Sequence, residues 1–163
     1  MPRPKALRVL PDAIPAEPKQ IRAWVVWRYK LKDEKWTKPP YQLDGQTLAS
    51  STDPATWGSF PEALKRYNEG GVDGIGIVLT KELGIVGIDL DHCRDGETIA
   101  PWAIQIIEEV NGYTEVSPSG TGIRILVKAS LPAGGRKKGN IEMYDTGHYL
   151  TVTGHHLTYT EEG

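Results

Sequence analysis

The sequence predicts an α/β fold of the α+β type, for two reasons. Short segments rich in Val, Ile, Trp, Tyr and Thr recur along the chain and are bounded by Gly, Pro, Ser or Asp, as strands are. Only two stretches, near 59–69 and 101–111, repeat apolar residues at helical spacing. A length of 163 residues suits one domain with a buried core.

Composition excludes several classes of protein. A net charge of −2 and a pI near 6.1 exclude a protein that holds nucleic acid by bulk electrostatics, so nucleic-acid binding must be local. The single cysteine, Cys93, excludes internal disulfides and zinc sites built from several cysteines. No apolar run approaches a membrane span and the N-terminus is no signal peptide. We therefore expect a cytoplasmic protein of a bacterial or other host cell, with no membrane partner.

The N-terminal half begins with a proline-rich arm. Residues 1–22 contain five of the twelve prolines, and we expect them to lie over the surface as irregular backbone rather than as a separate domain. The β-prone run at 23–29 is the first predicted strand. Ser59 and Glu62 form a predicted capping box, and the helix that they begin should end before Gly70.

The later elements are two predicted hairpins around a helix. Residues 74–79 and 84–91 are strands joined by a short link and should pair as an antiparallel hairpin. Alternation over 140–154 predicts a last hairpin. The helix between them begins at Pro101 and ends at Gly112, and its predicted buried face is Trp102, Ile106 and Val110.

Two carboxylates end the strand at 84–91. Asp89 and Asp91 are two residues apart and so share one face, while Ile88 and Leu90 point the other way into a core. Two anions on one face repel each other unless a cation lies between them, and Mg²⁺ or Mn²⁺ carrying a nucleoside triphosphate would meet that need. A polar turn leaving the strand is the alternative.

A small, flexible loop at 117–122 precedes the strand that carries Arg124. Its glycines and hydroxyls are typical of an anion cradle, and Gly-x-Gly serves a plain hairpin turn equally well. Because Ile123 and Ile125 should face the core, Arg124 should face the side on which Asp89 and Asp91 lie.

Two segments are candidates for contact with nucleic acid. Lys30, Lys32, Lys35 and Lys38 alternate with Trp36 and Tyr41, a mixture that can follow a single strand, although a solvated turn has the same composition. The second is a mobile basic loop at 133–139. From these segments the predicted DNA contacts are Lys38, Arg136, Lys137 and Lys138.

Three ordered motifs together resemble the archaeo-eukaryotic primase superfamily, and within it the primase-polymerase domains of phage and plasmid replication proteins. They are Gly-Ile-Asp-Leu-Asp-His at 87–92, Ser-Pro-Ser-Gly-Thr-Gly-Ile-Arg at 117–124, and Ile-Glu-Met-Tyr-Asp at 141–145 followed by Gly-His-Tyr-Leu-Thr-Val-Thr-Gly at 147–154. The resemblance covers 23–157, which we expect to be one catalytic domain. Residues 158–163 would then begin a linker to a further region, such as a helicase domain on a longer chain.

The resemblance implies an RRM-like antiparallel or mixed sheet with helices packed behind it. It also implies that Asp89, Asp91 and Glu142 are catalytic and hold two Mg²⁺ or Mn²⁺ ions. The implied nucleotide-binding residues are Ser117, Ser119, Gly120, Thr121, Gly122, Arg124, His148 and Tyr149. The family commonly has His where this chain has Arg124; a guanidinium keeps phosphate binding and loses proton transfer by a histidine.

The function implied is metal-dependent, template-directed nucleotidyl transfer from a dNTP or NTP to the 3′-hydroxyl of primer DNA, with release of pyrophosphate. Two other functions stay open from the sequence. One is a module that binds nucleotide or single-stranded DNA without turnover, which gains nothing from clustered carboxylates. The other is a metal-dependent phosphodiesterase, which needs no triphosphate cradle.

Overall fold

A computed structural model of the chain describes residues 2–129 and 136–157, and it contains helices and antiparallel sheets. The helices are α1 (Ala16–Lys19), α2 (Phe60–Asn68) and α3 (Pro101–Val110). The strands are β1 (Trp24–Trp27), β2 (Lys30–Lys32), β3 (Lys35–Thr37), β4 (Pro40–Tyr41), β5 (Gly74–Leu79), β6 (Ile85–Leu90), β7 (Arg94–Asp95), β8 (Thr98–Ile99), β9 (Tyr113–Val116), β10 (Ile123–Lys128), β11 (Arg136–Lys138), β12 (Ile141–Tyr144) and β13 (His148–Val152). The predicted α+β, antiparallel architecture is confirmed.

The first sheet has the strand order β13-β5-β1-β4 and packs against α2. Trp24 on β1 meets the ring of Phe60 on α2 edge to face, with the centroids 4.9 Å apart. The predicted capping box is present: the Ser59 hydroxyl accepts the Glu62 amide at 3.2 Å, and the Glu62 carboxylate accepts the Ser59 amide at 3.1 Å. The cap fixes where α2 begins and so which of its residues face the sheet.

The second sheet has the order β11-β12-β6-β10-β9. One of its faces forms a core with α3, in which Ile88 and Ile125 from the central strands lie with Ala103 and Ile107 from the helix. The opposite face of the same strands packs Ile85 and Leu126 into the core of the first sheet and also carries the charged residues. Strand alternation thus separates the face that the helix covers from the face on which a site can form.

Both predicted hairpins are wrong in their pairing. β5 pairs with β1 and β13 in the first sheet, whereas β6 pairs with β10 and β12 in the second. The link between β5 and β6 is a 3₁₀ turn at Lys81–Leu83 that ends in the left-handed Gly84, and the chain passes there from one sheet to the other. β12 and β13 are divided between the sheets in the same way. Each of the central strands β5 and β6 has two neighbours already, so no edge is free for the predicted partner.

The buried face of α3 differs from the prediction by one position. Ala103 and Ile107 point inward with Ile106 and Val110 beside them, a stripe at i, i+3, i+4 and i+7, while Trp102 is 36% exposed. The helix ends at Val110, and the left-handed Asn111 caps it one residue before the predicted end at Gly112. Gly112 is instead needed for space, because a Cβ there would lie 2.7 Å from the Leu126 carbonyl oxygen.

The ends of the chain and the basic segment complete the description. The N-terminal arm contains a 3₁₀ turn at Pro11–Ala13 and the single turn of α1, and it buries Val9 and Ile14 in the core. Residues 136–138 form β11, which pairs with β12, and are therefore a strand where the sequence indicated a loop. The predicted linker at 158–163 and residues 133–135 of the predicted loop lie outside the described residues. No described helix is both long and apolar enough to cross a membrane.

Candidate functional site

Neighbouring strands of the second sheet place Asp89, Arg124 and Glu142 side by side. Arg124 on β10 and Glu142 on β12 are both directly opposite Asp89 on β6. Residues opposite each other in antiparallel strands project from the same face, and Asp91 follows two residues later. The structure therefore brings the three predicted carboxylates and the guanidinium to one face of one sheet.

The carboxylates repel one another, and Arg124 reduces that repulsion. Burial raises the pKa of Asp91, the negative charges of Asp89 and Glu142 raise it further, and the positive charge of Arg124 lowers it. Arg124 also forms an ion pair with Asp89, with 3.2 Å between Nε and Oδ1. A face with more anionic than cationic groups is electrostatically prepared for a further cation.

The donor set fits a divalent cation, although its side chains are engaged elsewhere. Three carboxylates offer the oxygen ligands that Mg²⁺ and Mn²⁺ prefer. Within 2–129 and 136–157, no three carboxylate, imidazole or thiol groups are gathered closely enough to hold a metal ion. Asp89 is paired with Arg124, and Glu142 accepts a hydrogen bond of 3.1 Å from the Tyr144 hydroxyl. Metal binding would require the three carboxylates to turn towards a common point.

Arg124 and Glu115 also bind the outer edge of β13. The Arg124 guanidinium donates to the Thr151 carbonyl at 3.1 Å and to the Thr151 hydroxyl. The Glu115 carboxylate, which is 1% exposed, accepts the amides of Thr153 and Gly154, each at 2.9 Å. The side chains of Arg124 and Glu115 thus bind backbone groups that a neighbouring strand would otherwise bind. These hydrogen bonds join the two sheets directly beside the carboxylates.

A pH-dependent contribution to stability follows from Glu115. Burial raises its pKa, so the folded protein binds this proton more tightly than the unfolded chain. The free energy of unfolding should therefore fall as pH rises from the unfolded pKa through the folded one. In Glu115→Gln this slope is absent, and an NH₂ group faces amides that need an acceptor, so we expect the variant to be less stable at low pH by about 1–3 kcal/mol.

The measurement for this prediction is urea denaturation of both proteins from about pH 4 to about pH 8. The difference in unfolding free energy between wild type and Glu115→Gln should shrink as pH rises. Contributions from other carboxyls, including Asp91, are common to both proteins and cancel. Parallel pH profiles would contradict a raised pKa at Glu115.

The loop at 117–122 is a closed hairpin turn between β9 and β10. The Gly120 amide donates to the Ser117 carbonyl at 2.9 Å, and the Gly122 amide donates to the Ser117 hydroxyl at 3.0 Å. The Thr121 amide donates to the Ser119 hydroxyl at 3.3 Å. The hairpin alternative is thus realised, and the amides that a phosphate would need are bound within the loop. The predicted anion cradle stays a prediction.

The two aromatic candidates from the last motif have partners inside the protein. His148 stacks on Tyr144, with 3.9 Å between the ring centroids, and burial lowers its pKa, which favours the neutral imidazole near pH 7. The Tyr149 hydroxyl donates a hydrogen bond to the Lys38 carbonyl, and the Tyr149 ring packs against Gly76 in the space that a Cβ would need. Phosphate contact by His148 and sugar contact by Tyr149 stay predictions.

Lys38 lies closer to the carboxylates than the sequence indicated. Burial lowers its pKa and so does Arg124, while the negative charges of Asp89 and Asp91 raise it, which means that all three groups are within electrostatic reach. Lys137, another predicted DNA contact, is opposite Glu142 at the edge strand β11. Lys38 is therefore a second cation beside Arg124 rather than a residue of a distant surface.

Sequence reasoning missed three contributors to the site. Arg94 donates to the Gly120 carbonyl at 2.8 Å and so holds the tip of the loop. The other two are Thr151, which accepts from Arg124, and Glu115, which accepts the amides just after β13. A signal existed for Glu115: counting back from a hairpin loop at 117–122 places it opposite Arg124. No local pattern indicates Thr151, because its strand belongs to the other sheet.

Comparison with known proteins bears on the family of the chain. No protein-family model matches the sequence. The DNA primase-polymerase of Nitratiruptor phage NrS-1 is 40% identical to this chain over 139 residues, which are 80% of this chain and 19% of that protein. The chain thus spans about one fifth of the length of its relative. The predicted relationship is confirmed, and the chain belongs with the primase-polymerase domains of phage replication proteins.

Proposed function

We propose that this chain is the catalytic domain of a DNA primase-polymerase and transfers a nucleotidyl group from a dNTP or NTP to the 3′-hydroxyl of a primer on a DNA template. The observation that carries the proposal is the cross-strand alignment of Asp89 with Glu142 and Arg124, with Asp91 on the same face. The 40% identity to a phage DNA primase-polymerase supports it. A helicase domain on the same longer chain stays a prediction.

Asp89, Asp91 and Glu142 would hold Mg²⁺ or Mn²⁺ in this proposal. When bound, the ions supply Lewis-acid stabilisation of the reacting phosphate and a lower pKa for the attacking hydroxyl. The raised pKa of Asp91 makes metal loading dependent on pH, because the bound form needs the carboxylate and loading would release the proton. Metal binding by this chain should therefore strengthen as pH rises.

The remaining residues would place and neutralise the triphosphate. The hydroxyls and amides of 117–122 would exchange their bonds within the loop for bonds to phosphate oxygens, while Arg94 keeps the loop tip in place through Gly120. Arg124 and Lys38 contribute positive charge next to the acids. Arg124 is 7% exposed, and its Nε and Nη1 donate to Asp89 and Thr151, so its main role would be to orient Asp89. The neutral His148 would donate a hydrogen bond rather than charge.

Extension of a labelled primer on a DNA template, with each nucleotide type and each metal, tests the proposal. We expect the wild-type chain to lengthen the primer, and Asp89→Asn and Asp91→Asn to lose about 100-fold or more in rate while they keep their near-ultraviolet circular dichroism. Glu108→Gln on the exposed side of α3 is the matched control and should extend normally.

Two outcomes would replace the proposal with one of its alternatives. Metal-dependent shortening of the primer by wild type, lost in Asp91→Asn, would indicate a phosphodiesterase. Nucleotide or single-stranded DNA binding with neither extension nor shortening, unchanged by both substitutions, would indicate a binding module without turnover. Extension that survives both substitutions would remove the carboxylates from the chemistry.

A further inference from the structure

The strands β2 and β3 form a separate two-stranded hairpin next to the carboxylate site. Among the residues that the structure describes, its strands pair only with each other, and every residue of β2 is exposed. The turn between them uses Asp33 and Glu34 with φ of 49° and 64°, a backbone conformation that normally selects Gly or Asn. An isolated hairpin with a strained turn has little intrinsic stability, so it does little to stabilise the fold and is a candidate for a binding role.

The pairing register of this hairpin gathers positive charge on one face. Lys32 is directly opposite Lys35, and Lys30 is opposite Thr37, so the three lysines share a face. Like charges directly opposite each other destabilise a hairpin. Across the described parts of the chain, 2–129 and 136–157, none of the three forms an ion pair with a carboxylate. The lysine face is therefore a local cluster of positive charge that an anion would stabilise.

A surface groove lies between this hairpin and Lys38. It has a volume of about 610 Å³ and is lined by Lys30, Leu31 and Lys32 on the hairpin, by Lys38 and by Leu48. Leu31 and Leu48 are 46% and 56% exposed, so the groove presents apolar as well as charged groups to solvent. Lys38, which lines the groove, also interacts electrostatically with Asp89 and Asp91. The groove thus combines cations with apolar contacts, and one of its cations interacts with the carboxylates.

We propose that the lysine face of the β2–β3 hairpin and this groove bind single-stranded DNA, namely the template strand that leads into the site. Phosphodiester groups would lie on Lys30, Lys32 and Lys35. Unstacked bases would pass the edge of β2 and enter the groove, where they would contact Leu48 and also Leu31, which the register places on the other face of the hairpin. A net charge of −2 leaves the chain no general attraction for DNA, so affinity must come from local cation clusters of this kind. The inference rests on the proposed function because it names the path of the template.

The test measures binding of a labelled oligothymidylate by fluorescence anisotropy over a range of salt, without nucleotide or metal. The double variant Lys32→Gln/Lys35→Gln should bind about 10-fold or more weakly. Its slope of log affinity against log salt should be smaller by about 1.4, since each phosphate contact to a single strand contributes about 0.7. The control variant Lys5→Gln/Lys65→Gln changes two exposed lysines elsewhere, carries the same net charge, and should bind as wild type does.

Thermal unfolding separates loss of the surface from loss of the fold. Removal of two opposed like charges should leave the melting temperature of Lys32→Gln/Lys35→Gln equal to or above that of wild type. Equal DNA affinity in the variant and the control would overturn the inference. Tighter wild-type binding to a duplex of the same length, or no wild-type binding to either, would overturn it as well.

Failure of this inference is distinguishable from failure of the proposed function. Primer extension by the wild type with unchanged DNA affinity in Lys32→Gln/Lys35→Gln would leave the polymerase and remove the surface. Weakened binding in that variant without any primer extension by the wild type would leave the surface and remove the polymerase.

Discussion

Arg124→Met is expected to lower the free energy of unfolding by about 3–5 kcal/mol, because it removes one partner of a buried charge network. The guanidinium is 7% exposed and contacts both sheets, through Asp89 on β6 and through Thr151 on β13. Without it, the half-buried carboxylate of Asp89 and the buried carboxylate of Glu115, which lie opposite position 124 on the two neighbouring strands, have no cation between them. Methionine fills most of the volume, so the loss measured is mainly that of charge and hydrogen bonds.

Urea denaturation at neutral pH measures this effect, with an unchanged m-value as the sign that the transition is the same. Arg66→Met is the matched control, since Arg66 donates to the exposed Gly70 carbonyl on the surface, and it should change stability by less than about 1 kcal/mol. Arg124→Lys should lie between the two, because it restores charge without the fork that reaches Thr151. A loss in Arg124→Met no larger than in the control would show that Arg124 does not join the sheets.

The same substitution has a catalytic readout that separates two roles of Arg124. If its main role is to orient Asp89, the folded fraction of Arg124→Met should show a lower kcat. If it contacts the triphosphate, KM for the nucleotide should rise instead. An effect on stability alone would leave Arg124 outside the reaction.

Local structure could be predicted from the sequence because its causes are local. The capping box of Ser59 and Glu62 depends on atoms three residues apart, and both of its hydrogen bonds are present. The common face of Asp89 and Asp91 follows from the period of a strand, as does the opposite orientation of Arg124 and Ile125. These features do not depend on which strand lies alongside.

Strand pairing could not be predicted because alternation along a strand does not identify its neighbour. The short link before β6 suggested a hairpin with β5, but a single 3₁₀ turn at Lys81–Leu83 carries the chain into the other sheet instead. For the same reason the sequence predicted the charged residues of the site but not the residues of the other sheet that contact them. Thr151 and Lys38 reach Arg124 and the carboxylates only because the first sheet lies against the second.

Gly154→Ala is expected to destabilise the protein by about 2–5 kcal/mol, because two independent penalties add at that position. Gly154 has φ of +75°, and a Cβ there would fall on the carbonyl oxygen of Leu10 in the N-terminal arm, which is backbone and has no rotamer to change. The arm is held at the same place by the Leu10 amide, which donates to the Thr153 carbonyl at 2.8 Å. Displacement of the arm would also expose Val9.

Gly84→Ala separates the two penalties of Gly154→Ala. Gly84 has φ of +65° and no atom within 4 Å of an added Cβ, so its substitution should carry only the backbone penalty of about 1–2 kcal/mol. The excess loss in Gly154→Ala then measures the contact with Leu10, and faster hydrogen exchange of the Leu10 amide should accompany it. The Gly154 amide donates to Glu115, which lies opposite Arg124, and Arg124 pairs with Asp89. Detachment of the arm would therefore loosen the contacts that hold Asp89 in place. Equal losses in the two variants would mean that the arm yields freely and does not support the site.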